Sequence, residues 1–136
     1  MDKEVLNAKL EALARCIHRI KSLDVSTVEE LENNLDKQEI IILNLQRAVQ
    51  ICVDIGNHIL LDYDSPTPQT MAETFKYLAQ HNIISEKNAA ELSRAVGFRN
   101  IAVHQYENID CNIVFQIVQN HLDDFKNFAK AILSVL

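Results

Sequence analysis

The chain of 136 residues is long enough for one domain with one core, and 48% hydrophobic with 24% charged residues suits a globular protein rather than a disordered or fibrous one. Two glycines and two prolines are too few for the turns of an all-β fold, so composition points to helices. A formal net charge of −6 excludes a protein that coats nucleic acid with a broad basic surface, but not one that handles RNA through a few focused cations.

In chain order, Asp2 caps a first predicted helix running to about Leu23, with Val5, Leu6, Leu10, Leu13, Ile17 and Ile20 at spacings of three and four. Charges run through this segment, so it lacks the apolar core of a signal peptide. No window of membrane-spanning length is free of charge, and a cytoplasmic location is expected. Ser26 with Glu29 has the form of a capping box that opens a short helix through about Asn34. Asp36 with Glu39 repeats that signal before a long helix reaching about Leu61, along one side of which fall Ile40, Leu43, Arg47, Gln50, Asp54 and Asn57.

DYDSPTPQT (residues 62–70) gathers both prolines and breaks the pattern. A helix of about Met71–His81 follows. Ser85 caps the next one, whose apolar stripe is Leu92, Val96 and Val103. The turn at residues 108–112 supplies Asp110 as cap of a last helix ending at Leu136. No repeat or long linker divides the chain. The expectation is a single all-α domain over residues 1–136, a bundle of about four main helices with short extra ones.

Cys16, Cys52 and Cys111 are odd in number and far apart, which suits neither a disulfide set nor a zinc knuckle; each reads as a small apolar side chain. Asp54 and His58 form an i, i+4 pair with Asn57 beside them, but there is no Glu-x-x-His repeat to complete a metal site. Neither metal nor cofactor is expected. Asp54 and Asn57 read as a buried polar network or as supports for a nearby site. His18, His81 and His121 have no convincing partners by spacing, and Tyr63 and Tyr77 read as core or loop aromatics. Lys87 and Arg94 read as solvated surface that could also extend a local basic strip.

The segment 89–106 departs from a plain bundle. On a helical wheel Leu92, Val96 and Val103 form an apolar arc with Ala95 and Tyr106 at its edge, and Arg99 lands in the middle of it. A guanidinium there must form an ion pair, snorkel out, or line a cleft. His104, five residues on, leaves the helix about 140° away from Arg99. The two converge only if the helix ends or distorts near Val103–His104, or if a second copy of the chain contributes. Together they suit phosphodiester cleavage. Arg grips phosphate oxygens with a two-pronged fork and stabilises the charge that builds up. His moves the proton of a ribose 2′-hydroxyl or of the leaving 5′-oxygen. With the 2′-oxygen as nucleophile no metal-bound water is required, which confines the chemistry to RNA.

The string Arg99-Asn100-Ile101-Ala102-Val103-His104-Gln105-Tyr106, read as R-N-x-x-x-H-x-Y, resembles the signature of the HEPN superfamily, and within it the HepT toxins paired with minimal nucleotidyltransferase antitoxins. The segments IILNLQRAVQICVDIGNHI (41–59), VGFRNIAVHQY (96–106) and VQNHLDDF (118–125) resemble the same family, so the likeness spans nearly the whole chain. It implies an all-helical two-fold dimer whose R-x4-H motifs face each other across a shared cleft. It also implies a metal-independent endoribonuclease leaving 2′,3′-cyclic phosphate ends. Arg99 and His104 would be catalytic, with Asn100, Asp54 and Asn57 supporting or lining the cleft; Arg47, among apolar residues of the long helix, reads as an ion-pair partner or as an RNA-phosphate contact lining the cleft. The antitoxin would transfer AMP to Tyr106, whose added charge and bulk compete with RNA for Arg99. A second class stays open on the residues: a non-catalytic helical module that presents substrate or nucleotide to a nucleotidyltransferase, which the acidic balance mildly favours, while the juxtaposed Arg, His and Tyr and the HepT-like flanks favour the ribonuclease more strongly.

Overall fold

The computed structural model describes residues 2–104 and 109–136, and within them the secondary structure is entirely helical. Helix α1 (Lys3–Ser22) starts where the Asp2 carboxylate accepts the Val5 amide, and its three-four spacing buries Leu6, Leu10, Leu13, Cys16 and Ile20 along one stripe. Helix α2 (Val28–Glu32) is capped by Thr27, which accepts the Glu30 amide at 3.1 Å, one residue later than the Ser26–Glu29 box suggests. S-T-V-E and T-V-E-E satisfy the same spacing, and the extended backbone at Thr27 decides between them. Glu30 still reaches back to the Ser26 amide, at 3.2 Å.

Helix α3 (Leu35–Leu60) also starts earlier than expected. Asn34 is its cap, accepting the Lys37 amide at 3.0 Å, while Asp36 lies in the first turn and meets the positive end of the helix dipole. α3 is the bundle's axis and packs against each of the other described helices. It runs antiparallel to α1: the Asp2 amide donates to His58 Nε2 at 3.3 Å near one end, and Lys9 pairs with Asp54 further along.

Helix α4 (Met71–Gln80) opens on a full capping box, Thr70 with Glu73. It closes with Asn82 in the left-handed region (φ 58°), the Ile83 amide bonding to the Leu78 carbonyl and the Asn82 amide to the Ala79 carbonyl. That paired closure lets the chain turn at once, and Asn tolerates the conformation better than most side chains. α4 lies close on α3 at Gly56, where a Cβ would stand 2.5 Å from Thr74 Cγ2.

Ser85 accepts the Asn88 amide at 3.0 Å at the start of helix α5 (Glu86–His104). Asp110 caps helix α6 (Cys111–Asn120), after which the expected single last helix breaks at His121, and α7 (Leu122–Leu133) completes the bundle. α6 lies against α2, whereas α7 lies against α5 and α1, so the chain must change direction between them. The apolar spacing continues across the break, which hides it from the sequence. Phe75 of α4 and Phe128 of α7 meet edge to face in the core, their centroids 5.9 Å apart. No described helix is long and apolar enough to cross a membrane.

Candidate active site

Helix α5 turns Asn88, Ala89, Leu92, Val96 and Ala102 inward, and Phe98 is buried beside them. Arg99 is half-buried, seven residues after Leu92 and three after Val96. Its Nη1 donates to Asn100 Oδ1 at 3.4 Å, and among the described residues no carboxylate pairs with it. Of the three fates open to this guanidinium, an ion pair is not adopted among the described residues. Asn100 itself is exposed.

The apolar stripe needs a correction at its end. Val103 is 44% exposed, and Ala102 takes the inward place. A helix drifts relative to any fixed repeat, so the inward arc steps from four-residue to three-residue spacing as it passes Val96, Arg99 and Ala102. α5 stays helical through His104, which is exposed. Arg99 and His104 therefore leave one continuous helix in different directions, and no break before His104 brings them together. Tyr106 lies outside the described residues.

The α3 candidates sit on the outward side of their helix. Arg47 is exposed and has no ion-pair partner among the described residues. Asp54 does not join His58. It accepts from Lys9 Nζ at 3.3 Å and from Gln50 Nε2 at 2.9 Å, and it is about as exposed as Lys9, 37% against 40%. Asn57, exposed, accepts the Thr74 hydroxyl at 2.7 Å and so ties α3 to α4. This is a polar network, half-solvated rather than buried. None of these side chains bonds to Arg99 or His104.

Sequence spacing missed one cluster. His121 does have a partner: its Nδ1 lies 3.1 Å from Asp124 Oδ2. Burial pushes the Asp124 carboxyl up, the hydrogen bond and charge of Glu91 push it further, and His121 opposes them. Burial also works against the charge on Glu91, but hydrogen bonds from Asp124 and Asn88 and the charges of Lys87 and Arg94 bring its carboxyl below the ordinary range. The two carboxyls thus shift in opposite directions, Asp124 up and Glu91 down. Asn88 spans the pair, donating to the Asp124 backbone carbonyl at 3.0 Å, while its own Oδ1 is buried without a partner among the described residues. The cluster borders a groove of about 550 Å³ whose walls include Phe98, Ile101, Ile113 and Ile117. The i, i+3 spacings Asn88–Glu91 and His121–Asp124 are visible in the sequence; the packing of α5 on α7 that joins them is not.

Cys16 and Cys52 are buried and Cys111 is half-buried, all as free thiols. Burial pushes the Cys52 thiol well up, and the neighbouring Cys16 adds to it, which keeps Cys52 protonated and unreactive. Tyr63 stacks at a tilt on His81, and the Tyr77 hydroxyl donates to Glu73 at 3.1 Å.

The family model described as "Ribonuclease HepT-like" matches residues 13–132. Among curated relatives, the "mRNA nuclease HepT" of Shewanella oneidensis is 36% identical over 129 residues, covering 95% of this chain and 96% of that protein. The "tRNA nuclease HepT" of Aphanizomenon flos-aquae is 27% identical over 132 residues, covering 97% and 90%. Among solved structures, the tri-AMPylated Shewanella oneidensis HEPN toxin in complex with its MNT antitoxin superposes with a TM-score of 0.90 at 36% identity, covering 98% of this chain and 99% of that one. A toxin–antitoxin crystal structure with AMP-PNP gives 0.91 at 35% identity, covering 97% and 99%.

Proposed function

The chain belongs to the HepT-like ribonuclease family, and we propose that it is the toxin of a toxin–antitoxin pair, cutting RNA without a metal through Arg99 and His104 and silenced by AMP on Tyr106. One observation carries the catalytic part: Arg99 sits half-buried on the inward stripe of α5 with no carboxylate partner among the described residues. Removing a cation partly from water without pairing it is costly, and the cost is recovered when an outside anion binds.

The scissile phosphate is that anion. Arg99 grips its non-bridging oxygens and stabilises the extra negative charge as the 2′-oxygen attacks phosphorus. The proton of the 2′-hydroxyl leaves to a base, the bond from phosphorus to the 5′-oxygen breaks, and that oxygen takes up a proton. The products are a 2′,3′-cyclic phosphate and a free 5′-hydroxyl. His104 supplies one of these proton transfers, and a second copy of the chain brings it opposite Arg99, since one straight α5 does not. AMP transferred to Tyr106 by a nucleotidyltransferase antitoxin resembling those in the related complexes adds a phosphate that competes for the same cation.

The test is cleavage of RNA by purified, unmodified protein in excess chelator, beside Arg99→Ala and His104→Ala. Cyclic phosphate ends from the wild type alone are the expected result; equal inertness of all three overturns the enzymatic reading. Co-expression with a nucleotidyltransferase antitoxin like those of the related complexes should add about 329 Da, or a multiple, to the peptide containing Tyr106. A tyrosine that stays unmodified under all conditions overturns the regulatory reading.

A further inference from the structure

The antiparallel pair α1 and α3 leaves a second open groove, of about 820 Å³, on the side of α3 that carries Arg47. Three arginines line it: Arg15 and Arg19 from α1, and Arg47 from α3. All three are exposed, as is His18 on the same wall. Not one carboxylate lines the groove among the described residues. In a chain carrying a net charge of −6, that is a concentrated island of positive charge.

The cations act at close quarters. Cys16 forms part of the lining; burial pushes its thiol up, and the charges of Arg47 and Arg15 pull it back, so both guanidinium groups project their field onto the same point. Neither forms an ion pair with a described carboxylate; Arg19 makes only a neutral bond, to the Ser22 hydroxyl at 3.4 Å. Three like charges held together without counter-charges repel one another, and a polyanion relieves that repulsion. The rest of the lining is neutral: the side-chain amides of Asn44 and Gln50 and the apolar Leu43 and Ile51. A charged rail beside apolar and amide surface suits a single strand, whose phosphates run along the cations while its bases lie on the neutral surface.

We propose that the α1–α3 groove is an RNA-backbone track that holds single-stranded substrate away from the cleavage motif, with Arg15, Arg19 and Arg47 as its phosphate ligands. The choice of RNA over another polyanion rests on the ribonuclease reading above. At its Gln50 side the groove lies one helical turn from Asp54, whose charge Lys9 offsets.

The test is fluorescence anisotropy with labelled single-stranded RNAs of about 6 and about 20 nucleotides over a series of salt concentrations, site sizes of a few to sixteen nucleotides being usual for such grooves. It uses the full-length protein, its Arg15→Gln/Arg19→Gln variant, and a triple variant that adds Arg47→Gln. Each phosphate that the protein no longer neutralises should lower the slope of log affinity against log salt by about 0.7, so the triple variant should bind the longer RNA on the order of tenfold to a hundredfold more weakly. The short RNA should lose less than the long one. Equal affinity and equal slope for all three proteins overturns the proposal. So does weakened binding accompanied by a change in mass by light scattering, which would make the groove an interface between copies of the chain. Binding is read separately from cleavage: a wild type that binds with the expected slope but never cuts defeats the nuclease reading and leaves the track standing.

Discussion

Arg99 and His104 stand five residues apart on an uninterrupted helix, so their side chains diverge by about 140° around α5. A single chain thus presents these two side chains on different sides of the same element. Arg99, half-buried and without a carboxylate partner among the described residues, and the exposed His104 fit a site completed from outside the chain.

The two glycines of the chain should respond in opposite directions to the same substitution. At Gly56 a methyl group meets Thr74 Cγ2 at 2.5 Å and Leu78 Cδ1 at 2.9 Å, so Gly56→Ala should force α4 off α3 and cost about 1–3 kcal/mol. At Gly97 nothing lies within 4 Å of the added atom, and the position is exposed within α5. Gly97→Ala should therefore stabilise by about 0.5–1 kcal/mol through backbone entropy. Urea melts of both variants check the pair, and a stabilising Gly56→Ala would contradict the packing of α3 on α4.

The Asp124–Glu91 pair predicts a pH dependence. Because the Asp124 carboxyl is raised in the fold, mainly by burial and by Glu91, its contribution is fully present below the ordinary aspartate range and is lost as pH rises through the raised value. Asp124→Asn keeps a donor toward Glu91 and removes the titration. In denaturant melts the variant should gain on the wild type as pH rises from about 4, the ordinary aspartate value, to about 8. A difference that stays constant with pH would mean that the fold does not raise the Asp124 carboxyl.

Thr70 should behave as a cap of ordinary worth. Its hydroxyl accepts the Glu73 amide at 3.1 Å, and Thr70→Ala should cost about 1 kcal/mol. The Glu73 carboxyl is lowered, first by the Gln69 amide, with hydrogen bonds from Tyr77 and Thr70 adding to it. Its contribution is therefore present above the ordinary glutamate range and is lost as pH falls through the lowered value. Thr70→Ala and Glu73→Gln should both shift the thermal midpoint at neutral pH, and the Glu73→Gln difference should shrink in acid.

The Lys9–Asp54 pair, half-exposed on both sides, should matter little to folding. Lys9→Ala and Asp54→Ala should each change stability by less than about 1 kcal/mol. A large loss of RNA cleavage in Asp54→Ala with an unchanged melting curve would mark Asp54 as a support of the cleft; unchanged cleavage would remove it from the site.

Helix order and the inward stripes were legible because apolar spacing survives any change of neighbour: Leu6, Leu10 and Leu13 in α1, and Leu92 and Val96 in α5, lie where periodicity puts them. Boundaries were legible only where one candidate cap stood alone, as with Asp2, Ser85 and Asp110. At Ser26–Thr27 and Asn34–Asp36 two caps competed, and backbone conformation made the choice. The break at His121 and the Asp124–Glu91 pair were hidden because both follow from how α6 and α7 pack on other helices. Within the candidate site the sequence carried Arg99 and His104 by motif. The grouping of Arg15, Arg19 and Arg47 across two helices needed the antiparallel register of α1 on α3.

The central claim, that one cleft takes its arginine and its histidine from two copies of the chain, is tested most directly by mixing Arg99→Ala with His104→Ala. Each variant alone should be inactive on RNA in chelator. If the site is shared, refolding them together in equal amounts makes mixed pairs in which one arginine and one histidine meet, restoring up to about a quarter of wild-type cleavage. If both residues act within one chain, the mixture contains no intact site and stays as inactive as its components.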